Sequence, residues 1–205
     1  RARSCIIASG GISRPETGST GEGFRWLKKL GHTILLNDVA LVPIALKDLW
    51  AKKLAGVTLG DIKLTTFKNG VKQKTHKGKL LFTHIGISGP TVLNMSREVG
   101  ELLGGTEGSE YVQEADAGVA ARGEGVTIML DLFPTLDGGA LRERLQALLI
   151  GQSNKKIKNV LSQLIASTLV DSVLMLANID GETQSHSVRS AERKALVSVL
   201  KAIPL

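Results

Sequence analysis

The sequence predicts an α+β protein: a short α/β piece, then a β-barrel-like antiparallel part, then a small helical bundle. Three observations predict it. A glycine-rich turn joins an apolar tetrad, Cys5 to Ala8, to an amphipathic stretch that ends at Gly31. From Val57 the apolar period changes to two, with Asn69-Gly70 between two such runs. From Asp137 onward the apolar period is helical, and the breaks between helices are short.

In the first piece, Cys5–Ala8 reads as a short, fully buried strand. Ser9-Gly10-Gly11 follows it, and Pro15, Gly18, Gly21 and Gly23 punctuate a long turn. Phe24, Leu27 and Leu30 then lie near one helical face, with Arg25, Lys28 and Lys29 outside it. Gly31 stands where a helix C-cap glycine belongs. Strand, glycine loop and helix together make a phosphate-binding arrangement, because the backbone comes close and the helix start offers free N–H groups. The spacing Gly18-Ser19-Thr20-Gly21-Glu22-Gly23 is not the G-x-G-x-x-G dinucleotide fingerprint, which occurs nowhere in the chain. A plain flexible connection fits the spacing equally well.

The middle begins with extended segments at 32–36 and 40–46 and a short helix over 47–55, stopped by Gly56. Val57, Leu59, Ile62 and Leu64 alternate with polar residues, and Gly60-Asp61 marks a bulge or turn. Asn69-Gly70 predicts a hairpin whose return strand, 71–76, is polar enough for a sheet edge, followed by another strand over 79–83. Ser88-Gly89-Pro90 opens a helix with Pro90 in its first turn and Ser88 as its cap. Residues 104–125 are glycine-rich and acidic, which predicts a mobile surface loop, and 126–132 is an apolar strand stopped by Pro134. In the last part, Asp137, Ser153 and Ser190 are candidate caps for helices facing inward through Leu141, Leu145 and Leu148, through Ile157, Val160, Leu161 and Leu164, and through Leu196, Val199 and Leu200. Another helix is expected over 169–179. The pieces divide at 1–46, 47–135 and 136–205.

Composition bounds the function. Hydrophobic content of 42% suffices for a core, and 3% aromatics make that core aliphatic. Cys5 is the single cysteine, expected as a small buried hydrophobe, so neither an intrachain disulfide nor a cysteine metal site can form. That suits a reducing cytoplasm. No apolar run approaches a membrane span, and no signal peptide precedes the first strand. The net charge of +7 is uneven: residues 47–80 hold nine Lys and two Asp, while 81–125 hold two Arg against six Glu and one Asp. The basic segment supports an alternative function, a non-enzymatic module that binds RNA or a protein partner. Its lack of interleaved aromatics, Phe67 apart, favours a solvated strand face instead, with nucleic acid not expected as a partner.

Several longer motifs point to one family. Ala8-Ser9-Gly10-Gly11, the run Pro15 to Phe24 and Leu30-Gly31-His32 resemble a motif of the BaiN-type flavoproteins, also described as aminoacetone oxidase-like FAD enzymes. Ala40-Leu41-Val42-Pro43 and the run Leu81 to Pro90 resemble two further motifs of that family, in its order. Ser9 stands where the family carries Thr. The resemblance is strong over 5–96 and general beyond. It implies a FAD-dependent oxidoreductase that transfers hydride to or from flavin N5. In such proteins a β-barrel-like part and a helical bundle interrupt the flavin domain. Residues 1–46 would then be a partial FAD-binding segment, and the insertion would cover the flavin and shape the pocket of a small-molecule substrate. The chain would be a fragment without the N-terminal G-x-G-x-x-G unit or the closing flavin segment. It would rely on the rest of the parent flavoprotein and hold no FAD by itself.

The resemblance makes Ser9, Gly10 and Gly11 the candidate cofactor contacts. Thr83, Ser88 and Gly89 are candidates to face the substrate, through free N–H groups at the helix start. His84 is a candidate general acid, since an imidazole titrates near neutral pH. Each has a plainer role, a tight turn or a helix start. His32, His76 and His186 have no plausible metal partners, so no zinc site is expected.

Overall fold

The computed structural model describes residues 3–34, 41–103 and 125–205. The chain divides into two compact units. The described residues of the first are 3–34, and those of the second are 41–103 and 125–205.

In the first unit a 3-10 turn, Pro15–Thr17, precedes helix α1, Glu22–Lys29. The helix ends as its glycine requires. Gly31 has φ +91, its N–H donates to Lys28 O at 3.1 Å, and His32 N–H donates to Leu27 O at 3.1 Å. That pair is a Schellman motif. The expected buried strand at Cys5–Ala8 is not there: those residues carry no strand, and Ile6 is 91% exposed. Cys5 is exposed as well, not a buried hydrophobe. A strand needs a neighbour for its backbone groups, and no described segment pairs with this one.

The second unit is an antiparallel sheet followed by helices. Its strands are β1 (Ile44–Ala45), β2 (Thr58–Lys68), β3 (Val71–Phe82), β4 (Gly86–Ser88), β5 (Val126–Asp131) and β6 (Ile203–Pro204), in the order β1-β4-β3-β2-β5-β6. Every pairing is antiparallel. Asn69 (φ +50) and Gly70 (φ +77) form the two-residue turn of the β2–β3 hairpin, with Lys68 opposite Val71. Gly60-Asp61 is a bulge: Leu59 pairs with Leu80 and Ile62 with Gly78, so two residues oppose one. The strands expected at 71–76 and 79–83 are one strand, β3. The bulge on β2 absorbs the irregularity that the sequence suggested as a break. As expected for an edge, residues 71–77 pair only with β2, because β4 covers only Leu81 and Phe82. The terminal strands β1 and β6 line a common cavity of about 210 Å³ with Val99 and Ile128. The sheet therefore curls toward a barrel left open at that seam.

Between β1 and β2, the helix expected over 47–55 is one turn, α2, Leu49–Lys52; Leu54 packs in, Leu49 stays exposed, and Gly56 (φ +90) ends the turn. Helix α3, Pro90–Leu102, crosses the concave face with Val92, Met95 and Val99 buried. Its cap is Gly89, not Ser88, which is held in β4 opposite Leu81. Four helices follow β5: α4 (Gly138–Gly151), α5 (Ile157–Leu161), α6 (Ser167–Leu176) and α7 (Ser190–Lys201). Asp137 caps α4 as expected, accepting from Ala140 N–H at 2.7 Å. Leu149 rather than Leu148 completes its buried row with Leu141 and Leu145, a strict i, i+4, i+8 stripe. Ser153 does not cap α5, because the helix starts at Ile157 and its N-cap position is Lys156. Ser190 lies inside α7; the cap is Arg189, whose N–H donates to Glu192 at 2.6 Å.

One continuous aliphatic core joins sheet and bundle, with Leu64, Leu80, Phe82 and Leu130 on one side and Leu145, Leu161, Val173 and Leu200 on the other. An ion pair reinforces the junction. Asp131, 3% exposed, places Oδ2 at 2.8 Å from Lys201 Nζ and 2.9 Å from Lys63 Nζ. These are charge contacts rather than aligned hydrogen bonds. The Asp131 Oδ1 accepts from Phe133 N–H at 2.9 Å, and Lys201 Nζ also donates to the carbonyls of Phe133 and Leu136. Burial opposes the charge of Asp131, but Lys201, Lys63 and the Phe133 N–H outweigh it and hold the carboxyl below its ordinary value. The segments 35–40 and 104–124 lie outside the described residues, and with them the end of the extended segment expected at 32–36 and the mobile loop expected at 104–125; residues 32–34 carry no strand.

Candidate functional site

In the first unit Ser9 and Gly10 are exposed and Gly11 half-exposed on an irregular loop. Gly10 has φ +74, in the left-handed region that favours glycine. The Gly11 carbonyl accepts from Gly21 N–H at 3.2 Å, which ties this loop to the start of α1. Two glycines make that approach possible. A Cβ on Gly23 would sit 2.0 Å from Ser9 Oγ, and one on Gly21 would sit 2.4 Å from Ile12 Cγ2. A Cβ on Gly11 would meet nothing within 4 Å, so the space in front of its backbone is open. An exposed glycine backbone beside a helix start suits an anionic or planar cofactor group.

In the second unit Thr83 closes the turn from β3 to β4, whereas Ser88 and Gly89 lie at the far end of β4, with Gly89 beside the backbone of Lys79, Leu80 and Leu81. Thr83 N–H donates to Gly86 O at 2.7 Å, and the Thr83 hydroxyl accepts from Gly86 N–H at 3.2 Å. Gly86 permits no side chain, since a Cβ would lie 2.2 Å from Ile44 O. Gly89, at φ +100, turns the chain from β4 into α3. His84 sits exposed at the tip of this turn, with no hydrogen-bond partner among the described residues.

Sequence reasoning missed a nearby polar cluster on the concave face. Glu98 of α3, 12% exposed, faces His76 Nε2 at 2.9 Å and accepts from Thr66 Oγ1 at 3.3 Å, with Lys74 Nζ at 3.9 Å. The alternation of β2 and β3 places Thr66, Lys74 and His76 on one face, but nothing in the sequence says that α3 brings a carboxylate to them. Among the described residues no group of His, Cys, Asp or Glu could hold a metal ion, and no helix is long and apolar enough to cross a membrane.

A curled antiparallel sheet joined to a helical bundle defines an α+β barrel-and-bundle domain. The family described as "HI0933-like protein barrel and H2TH domain" matches residues 39–114 and 109–205. The chain belongs to this family, the barrel-and-bundle domain of FAD-dependent flavoproteins, as the motif resemblance implied. It is 30% identical over 199 residues to the ribosomal RNA dihydrouridine synthase of Escherichia coli strain K12, covering 95% of this chain and 42% of that protein. It is 33% identical over 98 residues to the protein of the same name from Haemophilus influenzae, covering 47% and 23%. It is 24% identical over 196 residues to the 3-dehydro-bile acid delta(4,6)-reductase of Clostridium scindens, covering 96% and 44%. The chain thus spans less than half the length of these relatives.

Proposed function

We propose that the full-length protein is a FAD-dependent oxidoreductase that saturates a carbon–carbon double bond of its substrate, and that this substrate is a uracil base in RNA. The carrying observation is the 30% identity to an enzyme named as an rRNA dihydrouridine synthase across 95% of this chain, against 24% for a bile acid reductase. Both names imply net addition of two hydrogens to a conjugated system. The RNA reading sets aside the expectation that nucleic acid is no partner, which rested on composition alone.

Reduced FAD would supply hydride from N5. On this chain, Ser9, Gly10 and Gly11 are assigned to the cofactor, since the backbone there is open and a Cβ at Gly11 would project into that space. Thr83, Ser88 and Gly89 are assigned to the substrate side. Saturation also needs a proton, and His84 is the exposed, uncommitted acid at that turn. The insertion would cover the flavin and keep water from the reacting carbons.

The test uses the full-length protein, its flavin reduced without oxygen. Ribosomal RNA lacking the modification should reoxidise the flavin and gain dihydrouridine, faster than a steroid dienone does. Reoxidation by the steroid alone points to a small-molecule reductase. A colourless full-length protein that still binds RNA points to the non-enzymatic module through 47–80.

A further inference from the structure

Resting on the RNA reading, we infer that the groove between α4 and the start of α7 is a docking site for single-stranded RNA flanking the reacting base. The groove holds about 460 Å³ and is lined by Gln146, Leu149, Ile150, Ser153, His186 and Arg193, with Ser185 behind them. None of its lining side chains is a carboxylate. The Arg193 guanidinium is anchored by donating from one nitrogen to Val188 O at 2.9 Å, which leaves other N–H groups for a phosphate.

The other walls fit a nucleotide. Ser153 O accepts from both His186 N–H at 3.1 Å and the His186 ring Nδ1 at 2.9 Å. A carbonyl only accepts, so Nδ1 carries its hydrogen and the neutral ring offers Nε2 as an acceptor. A ribose 2′-hydroxyl or a base N–H can donate there. The Gln146 amide and the Ser153 hydroxyl have no hydrogen-bond partner among the described residues, so both are free for a base edge. Ile150 is 68% exposed. It gives a base or sugar an apolar wall beside Leu149.

Cation, free donors, free acceptor and apolar wall in one open groove match the phosphate, the base edge and the sugar of a nucleotide. The lysines at the start of α5 do not compete for this role as strongly, because Glu182 pairs with both Lys156 and Lys158.

The experiment measures fluorescence anisotropy of a labelled, uridine-containing single-stranded RNA of about a dozen nucleotides, a length within the site sizes of single-strand binders. It uses the full-length holoprotein. Arg193→Glu and Ile150→Glu should each weaken binding about tenfold or more, with a shallower salt dependence for Arg193→Glu. Ile150 is exposed, so Ile150→Glu keeps the test valid if Arg193→Glu misfolds. Lys77→Glu, on the edge of β3, should change affinity less than either. If the wild type binds and both groove variants bind equally well, the groove is not the site. If Lys77→Glu is the damaging change, RNA docks on the sheet edge and the inference is overturned. If the wild type binds no RNA at all, the RNA reading of the substrate fails, and this inference with it.

Discussion

The two units use similar apolar segments to opposite effect. In the barrel and bundle, Leu64, Leu80, Leu130 and Leu145 are fully buried in one core. In the unit of 3–34, Ile6 is 91% exposed and Leu30 70% exposed, and Gly23 is the only buried residue of α1. The difference is one of partners, not of hydrophobicity. A strand or a helix face is stable only when another layer covers it. The barrel supplies its own layers, through α3 on the concave face and through β6, which returns after α7 to pair with β5. The unit of 3–34 has a well-formed cap and loop but no covering layer among the described residues.

This contrast predicts a hierarchy of effects. The largest is in the core: Leu145→Ala should cost about 2–5 kcal/mol, by lost transfer energy plus the cavity left behind. Ile6→Ala should leave the urea midpoint of the same chain unchanged within error. An equal loss from both would erase the distinction between the units.

Next comes the ion pair at the junction. Asp131→Ala removes the shared counter-ion of two partly exposed lysines, one of which keeps its carbonyl partners, and should cost about 1–3 kcal/mol, between the values for exposed and for fully buried pairs. The pH dependence has a definite sign. The folded carboxyl lies below its ordinary value, so its contribution is present above the unfolded value near 4. It is lost as pH falls through the folded value. Urea midpoints measured from pH 6 down to 2 should fall more steeply for wild type than for Asp131→Ala. Parallel curves would assign the junction to apolar packing alone.

The smaller effects concern the loop. Gly23→Ala places a methyl against Ser9 Oγ and should lower flavin content in the full-length protein without moving the unfolding midpoint of the barrel. Gly11→Val should weaken FAD binding likewise, through the cofactor rather than the fold, because that Cβ meets no protein atom. Flavin occupancy and circular dichroism on one preparation check both.

What the sequence made legible follows from local physics. The Asn69-Gly70 turn, the Gly60-Asp61 bulge, the Asp137 cap and the Gly31 terminus are each fixed by one or two residues with special backbone preferences, and all are found. Serine caps were less legible. Ser88, Ser153 and Ser190 sit near helix starts, but strand pairing, a cap position three residues further on and a cap position one residue earlier displaced them. Cys5–Ala8 was misread for a different reason: four apolar residues signal burial but not the neighbour that provides it. The Glu98–His76–Thr66 cluster and the α4–α7 groove were invisible, because they join residues far apart along the chain.

Native-state amide exchange tests this account most directly, comparing the 205-residue chain with the full-length holoprotein. In the chain, amides of β2, β3 and β5 should exchange only through global unfolding, while those of residues 5–8 exchange at nearly unprotected rates. In the holoprotein, residues 5–8 should become strongly protected and the barrel should change little. Protection of 5–8 in the isolated chain, or its absence in the holoprotein, would contradict the contrast between a unit that covers its own apolar faces and one that finds no covering layer among the described residues.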